Sequence, residues 1–183
     1  MTPFEAARTA FVSYAAPMLG AAPAKVSVSP ARDGVISNAG AMSIGDWLGF
    51  EAEASGRSVR GWARGKQAVG SQDGGQPGDL GALVRASQVG ESGGMSASDL
   101  AARIVWMLGM GWELVATPDD YPASPVPPFV TAPTATPLGV ATDVEFYLFR
   151  IDMPGGFRRP HRCAIHCDAA GCRFHLERVG QAP

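Results

Sequence analysis

Asp46-Trp47-Leu48-Gly49-Phe50-Glu51-Ala52-Glu53-Ala54-Ser55-Gly56-Arg57-Ser58-Val59-Arg60-Gly61-Trp62-Ala63-Arg64-Gly65 carries the pattern of a β-hairpin. Two alternating runs, 46–54 and 57–65, flank Ser55-Gly56, a pair suited to a two-residue turn. With Ala54 opposite Arg57, one face collects Leu48, Phe50, Ala52, Val59, Gly61 and Ala63, and the other collects Trp47, Glu51, Glu53, Arg60, Trp62 and Arg64. The register is self-consistent: Glu51 meets Arg60, and the Phe50 ring lies opposite the bare backbone of Gly61. An antiparallel sheet is therefore the expected frame.

Toward the N-terminus, Thr2-Pro3-Phe4-Glu5 supplies an N-cap, a proline at the first helical position and a glutamate three residues after the cap. Phe4, Ala7, Phe11 and Ala15 then share one face of a helix that Pro17 is expected to end. Lys25 to Ser29 alternates through Val26 and Val28 as a short strand, kept at a sheet edge by Pro30, and Asp33-Gly34 marks a tight turn and a possible hairpin.

Toward the C-terminus, Gly65 to Gly78 reads as a polar, glycine-rich loop, followed by a short apolar segment from Leu80 to Val89. Ser96 precedes Leu100, Ile104, Met107 and Leu108, a second helix ending at Gly109 or Gly111. Trp112 to Ala116 resumes as a strand. Thr117 to Pro137 holds seven of the fifteen prolines, so it is expected to be an extended loop. Val144 to Ile151, apolar on both faces, reads as a central strand. Arg162 to Val179 closes the chain as a hairpin around Asp168-Ala169-Ala170-Gly171. The fold class expected is α+β: a mainly antiparallel sheet of about seven strands with two helices packed on it. One domain spanning 1–183 is expected, with flexible loops at 65–79 and 117–137.

Leu108-Gly109-Met110-Gly111-Trp112-Glu113-Leu114-Val115 and Tyr147-Leu148-Phe149-Arg150 carry a resemblance. Residues 100–151 resemble a small bacterial domain-of-unknown-function family, whose members combine an amphipathic helix, a Gly-Trp-Glu-Leu-Val turn into a strand, and a final Tyr-x-Phe-Lys-Arg strand. Here the intervening loop is long and proline-rich, and a further hairpin follows. The resemblance implies a helix packed on a small sheet and no activity. Gly111 permits a tight helix exit and Trp112 can cap the end of a core, so folding alone accounts for the motif.

A chain of 183 residues with net charge −2 has the size of one ordinary domain and no global electrostatic pull toward nucleic acid or membrane. The longest apolar run, Ile104 to Trp112, is nine residues between Arg103 and Glu113, too short for a spanning anchor. Ala10 to Leu19 followed by Ala22-Pro23-Ala24 imitates a secretory signal, but Glu5 cancels Arg8, and Pro17 and Gly20 break the stretch. Three cysteines also make a poor disulfide framework, and a cytoplasmic location is expected.

All cysteines and histidines lie within 161–175. Cys163, Cys167, Cys172 and His175 are the residue types of a structural zinc site. Alternation argues against it: with Cys167 opposite Cys172, the cysteines fall on the face of Ile165, Phe174 and Leu176, while His166 and His175 fall with Arg162, Arg173 and Glu177. No cofactor is expected, zinc being the alternative, and Cys167 and Cys172 are placed to form a cross-strand disulfide.

Charge is uneven. Residues 150–183 carry six arginines against three acids, net +3, and residues 1–149 carry nine basic and fourteen acidic groups, net −5. A nucleic-acid partner is weakly indicated, since arginines alternating with acids describe a solvated strand face. Trp47, Arg60, Trp62 and Arg64, on the polar face of the first hairpin, are residue types enriched at binding hot spots and form the candidate partner-binding set, unless a second layer covers them. Catalytic motifs are absent. Gly61 to Gln67 has the wrong spacing for a phosphate loop, Asp119-Asp120 reads as a turn more simply than as a cation site, and only His166 and His175 offer imidazole bases. The leading expectation is a non-enzymatic protein acting through protein–protein contact, by self-association or within a larger assembly. The alternative is a metal- or nucleic-acid-binding module centred on the hairpin 161–179.

Overall fold

The first hairpin forms with the expected register in a computed structural model that describes residues 1–32, 41–72, 80–121, 125–138, 140–152 and 157–179. Strands β3 (Trp47–Ala54) and β4 (Arg57–Arg64) pair Ala54 with Arg57, Glu51 with Arg60 and Phe50 with Gly61. Packing divides the chain into two compact units, Met1–Gly78 with Met107–Gly109, and Asp79–Trp106 with Met110–Pro183.

In the first unit a sheet ordered β1 (Ser27–Pro30), β3, β4, β5 (Gln67–Gln72), with β2 (Ser43–Ile44) also on β3, carries helix α1 (Pro3–Leu19) on one face. The helix begins as its capping box dictates: Glu5 N–H donates to Thr2 Oγ1 at 3.2 Å and Thr2 N–H to Glu5 Oε2 at 2.6 Å. Ala7, Phe11, Ala15 and Leu19 then bury against Val28, Phe50, Ala52, Val59 and Ala63. Burying a ring such as Phe11 contributes about 1.5–3 kcal/mol. Pro17 does not end the helix. It removes one backbone donor near the C-terminus, while the buried Ala15, Ala16 and Leu19 hold the last turn in place until Gly20, at φ +64°, closes it.

The loop expected at 65–79 is corrected over 67–72, which form β5. Gly65-Lys66 makes a two-residue turn, with Gly65 at φ +55°, and β5 pairs along β4 from Gln67↔Arg64 to Gln72↔Val59. Gly70, one of the glycines that suggested a loop, and Gly61 opposite it let the helix approach. A Cβ at Gly61 would run into the Val69 carbonyl oxygen and lie 3.0 Å from Phe11 Cε2; one at Gly70 would lie 3.1 Å from Tyr14 Cε1. Tyr14 exploits that space: its hydroxyl donates to Gly70 O at 2.9 Å and accepts from Gly70 N–H at 3.1 Å. The N–H and C=O of Gly70 on the β5 edge are thereby satisfied. β1 lies at the other edge, ending in Pro30 as expected, and Arg32 and Ala41 form an antiparallel bridge. The turn expected at Asp33-Gly34 lies outside the described residues.

In the second unit the sheet is ordered β10 (Gly171–Arg178), β9 (Phe157–Asp168), β8 (Ala141–Asp152), β6 (Trp112–Val115), with β7 (Thr134–Leu138) also on β8. The apolar segment after Leu80 is a helix, α2 (Gly81–Ser87), which packs on β9. α3 (Ala97–Leu108) ends where expected, with Gly109 at φ +102° and Gly111 at φ +87°. The proline-rich stretch 117–137 is not all loop: Pro118–Asp120 is a single 3-10 turn and β7 begins at Thr134. Val144, Phe146, Leu148, Cys163 and Ile165 bury on one sheet face, while Val115, Tyr121, Val130, Tyr147 and Phe149 form a smaller cluster.

The α+β class with antiparallel pairing holds. The detail differs, since the described residues form two sheets of five strands each and three α-helices rather than about seven strands and two helices. No helix among the described residues is long and apolar enough to cross a membrane.

Candidate functional site

The long strands of the second sheet bring charged residues from three elements onto one face. Cross-strand rows run Asp143–His166–Arg173, Glu145–Ala164–His175 and Tyr147–Arg162–Glu177. Small Ala164 leaves the centre of this grid low. Two open depressions of about 570 and 260 Å³ lie over it, both lined by Glu145 and Arg162, the larger also by Phe129, Tyr147, Arg178 and Val179.

The charges compensate one another. Arg162 reaches Glu145 Oε2 at 2.5 Å and Glu177 Oε1 at 3.1 Å, and these two carboxylates hold its guanidinium protonated beyond the usual range. Glu177 is held below the ordinary carboxylate range by Arg162 and then by His175, 3.4 Å away. His166 Nδ1 lies 2.5 Å from Asp143 Oδ1, and its Nε2 lies 3.2 Å from Asp168 Oδ2. Asp168 closes the β9–β10 turn by accepting from Ala170 N–H at 2.8 Å and Gly171 N–H at 3.1 Å, and the first of these bonds chiefly lowers its pKa. Burial pushes the Tyr147 hydroxyl up, and Glu145 adds to the shift.

Both ring nitrogens of His166 thus face carboxylates rather than open space. Its neighbours in the hairpin supply no nucleophile, because Cys163 lies on the opposite, buried face, where burial drives its thiol well above the usual range. Among the described residues this face presents charged and polar side chains, and none of them forms an acid–base–nucleophile arrangement.

The four cysteine and histidine positions weighed for zinc separate. Cys167 and Cys172 sit opposite each other and form a disulfide, with Cα atoms 4.1 Å apart; Cys163 is a buried thiol, and His175 projects with the charged row. Two of the three thiols of that set are joined in the bridge, and strand alternation places His175 on the face opposite Cys163. Among the described residues no group of three or more His, Cys, Asp or Glu side chains is arranged around a common ion position.

The tryptophan–arginine set stays together in the first unit, but as a covered cluster. Trp62 is 0% and Trp47 2% exposed. Ala31, Gly49 and Met42 form a chain of backbone bonds beside them, and a Cβ at Gly49 would lie 3.0 Å from Ala31 Cβ and 3.1 Å from Trp62 Cζ3. Arg64 lies 5.1 Å over the Trp47 ring and reaches Asp46, and Arg60 pairs with Glu51 at 2.9 Å. Both indoles are buried and the Arg60 side chain is 16% exposed, so Arg64, 43% exposed, is the member of this set presented outward. Asp120 accepts from Thr117 N–H at 2.7 Å, so the Asp119-Asp120 pair is a turn, as the simpler reading had it.

The sequence does not single out Asp143, Glu145 or Phe129, and it marks Tyr147 only as part of the resembling strand. A signal existed in Asp143 and Glu145, polar positions alternating at the head of a strand otherwise read as apolar. Strand β10 adds a backbone feature. Val179 N–H donates to Pro160 O, and the close Cα approach of Cys167 and Cys172 marks a non-hydrogen-bonded pair. Odd-numbered residues of β10 therefore bond to β9, and the N–H and C=O groups of Cys172, Phe174, Leu176 and Arg178 point away from the sheet. The chain matches no family model, no curated protein and no solved structure.

Proposed function

We propose that this chain is a non-enzymatic interaction protein that binds extended protein segments along the β10 edge of its second sheet, which no described strand covers, adding them as a further strand. The observation that carries the reading is the outward row of backbone donors and acceptors at Cys172, Phe174, Leu176 and Arg178. Exposed edges invite pairing, and the other edges among the described residues are blunted: β1 has four residues and ends in Pro30, β5 meets the Tyr14 hydroxyl, β6 has only four residues, and β7 contains Pro137. β10 runs eight residues without proline. Main-chain bonds would supply affinity, and the alternating side chains of β10 would select sequence.

Selection of short peptides from a random library on the full chain tests the reading. Selected peptides should protect the amides of Phe174, Leu176 and Arg178 from hydrogen exchange. Leu176→Pro removes an outward N–H that β9 does not use, and should abolish their binding without loss of the hairpin. Peptides that bind elsewhere, or that bind the Leu176→Pro variant unchanged, would contradict it.

A second reading, contact with nucleic acid, is favoured by one cluster. Arg150 faces Arg159 across β8 and β9 and lies 5.6 Å over the Trp112 ring, which His161 meets edge-on at 5.1 Å. Affinity for a single-stranded oligonucleotide that falls steeply with salt and is weakened by Arg159→Ala would support it, and salt-independent binding would not.

A further inference from the structure

We infer that the segment β10 accepts is β10 of a second copy of this chain, paired antiparallel about a two-fold axis at His175; the inference rests on the edge-binding reading above. The strand's own geometry narrows the possibilities. Only the even-numbered residues of β10 direct N–H and C=O outward, so each hydrogen-bonded pair across the new edge joins an even residue to an even residue of the copy. A two-fold axis satisfies this only when it passes through one residue of the strand rather than between two.

Charge then separates the remaining registers. An axis at Arg173 opposes Arg173 to its own copy, and an axis at Glu177 opposes two carboxylates, each a like-charge pair at closest approach. An axis at Phe174 or Leu176 pairs only three of the four outward-facing residues of β10 with one another. An axis at His175 pairs all four. Arg173 then faces the partner's Glu177, and by symmetry Glu177 faces the partner's Arg173. Phe174 faces the partner's Leu176, and His175 meets its copy on the axis.

The contacts fall where they count. Arg173 and Glu177 would be non-hydrogen-bonded pairs, the geometry in which opposed side chains come closest. Arg173 is 76% exposed and holds Asp168 only at 3.4 Å, so its guanidinium can turn outward; Glu177 is 44% exposed, and its second oxygen, beyond the one that meets Arg162, holds His175 only at 3.4 Å. Phe174 and Leu176, half-buried on the other face of the hairpin, would extend one apolar strip across the axis. Four even–even pairs exchanging two bonds each give eight backbone hydrogen bonds, and the two five-stranded sheets become one continuous sheet.

The test is sedimentation equilibrium on the full chain with a charge swap. The wild-type protein should show a reversible monomer–dimer equilibrium. Arg173→Glu and Glu177→Lys should each raise the dimer dissociation constant about ten-fold or more, since each puts like charges opposite one another twice. Mixed in equal amounts, the two variants should form a heterodimer near the wild-type constant, because Glu at position 173 then faces Lys at position 177 and Glu177 faces Arg173. Leu176→Pro, which alters no charge, should weaken the dimer to a similar extent and keeps the test alive if a charge variant fails to fold. A wild-type protein that stays monomeric up to about 1 mM, or variants whose mixture does not recover the dimer, would overturn the inference. A monomer whose β10 still takes library peptides refutes self-pairing and leaves edge binding standing; a monomer that takes none refutes both.

Discussion

Replacing Tyr14 with Phe removes one oxygen and leaves the ring that stacks beside Phe11, so it isolates what the hydroxyl does at the edge of β5. That oxygen makes two bonds to one residue, donating to Gly70 O at 2.9 Å and accepting from Gly70 N–H at 3.1 Å. Each is worth about 1 kcal/mol net, and both Gly70 groups lose a partner in a half-buried position, so Tyr14→Phe should cost about 2 kcal/mol. Urea unfolding at 25 °C should show this as a midpoint lowered by roughly 1 M at unchanged slope. Amide exchange should accelerate at Gly70 and leave the β3–β4 amides of the same sheet protected. Burial also pushes the Tyr14 hydroxyl above its ordinary value, with the bond to Gly70 opposing the shift. Its contribution is thus present below about pH 10 and lost as pH rises through the higher folded value. Part of the alkaline loss of stability should therefore vanish in Tyr14→Phe, with Tyr121, Tyr147 and the Cys163 thiol, also shifted upward by burial, contributing to the remainder. A cost under about 0.5 kcal/mol together with unchanged exchange at Gly70 would refute the reasoning, because an oxygen bonded as described cannot be removed so cheaply.

Other outcomes follow from the same geometry. Gly61→Ala forces a Cβ into the Val69 carbonyl and toward Phe11, and should cost at least about 2 kcal/mol in a chemical melt, with α1 losing contact with the sheet. Thiol titration should find no reactive cysteine in the native protein, one on unfolding without reductant and three after reduction, since Cys163 is buried and Cys167–Cys172 is bridged; opening that bridge should cost about 2 kcal/mol on loop entropy. Asp168 and Glu177 both titrate below their ordinary values, so the stability they lend the terminal hairpin is present above that range and lost as pH falls through it. Asp168→Asn should flatten the acid dependence of amide exchange at Ala170 and Gly171.

The parts of the fold legible in advance are those that local chemistry determines. Ser55-Gly56 between two alternating runs specifies the β3–β4 register, and Asp168 to Gly171 does the same for β9–β10, including the Cys167–Cys172 opposition. What escaped depended on distant partners. β5 was hidden by the turn glycine Gly65 and by Gly70, whose bare backbone admits α1, and β7 by prolines that an edge strand tolerates. α2 has no capping side chain at Leu80 to announce it. The burial of Trp47 and Trp62 depends on the path of the chain at Ala31 and Met42, which the hairpin pattern does not contain. The charged face needed the register of β8 on β9: Asp143 reaches His166 and Glu145 reaches Arg162 only once that pairing is known, and nothing local to 141–152 states it.

Edge pairing at β10 makes an alternating forecast for single residues, which amide exchange across a concentration series can read. At all concentrations the amides of Arg173, His175 and Glu177 should be protected, because they bond to β9. Those of Phe174, Leu176 and Arg178 should be protected when the protein is concentrated and should exchange freely on dilution. Even-numbered amides that exchange freely at every concentration would contradict self-pairing, and protection without the odd–even alternation would contradict the strand geometry on which it rests.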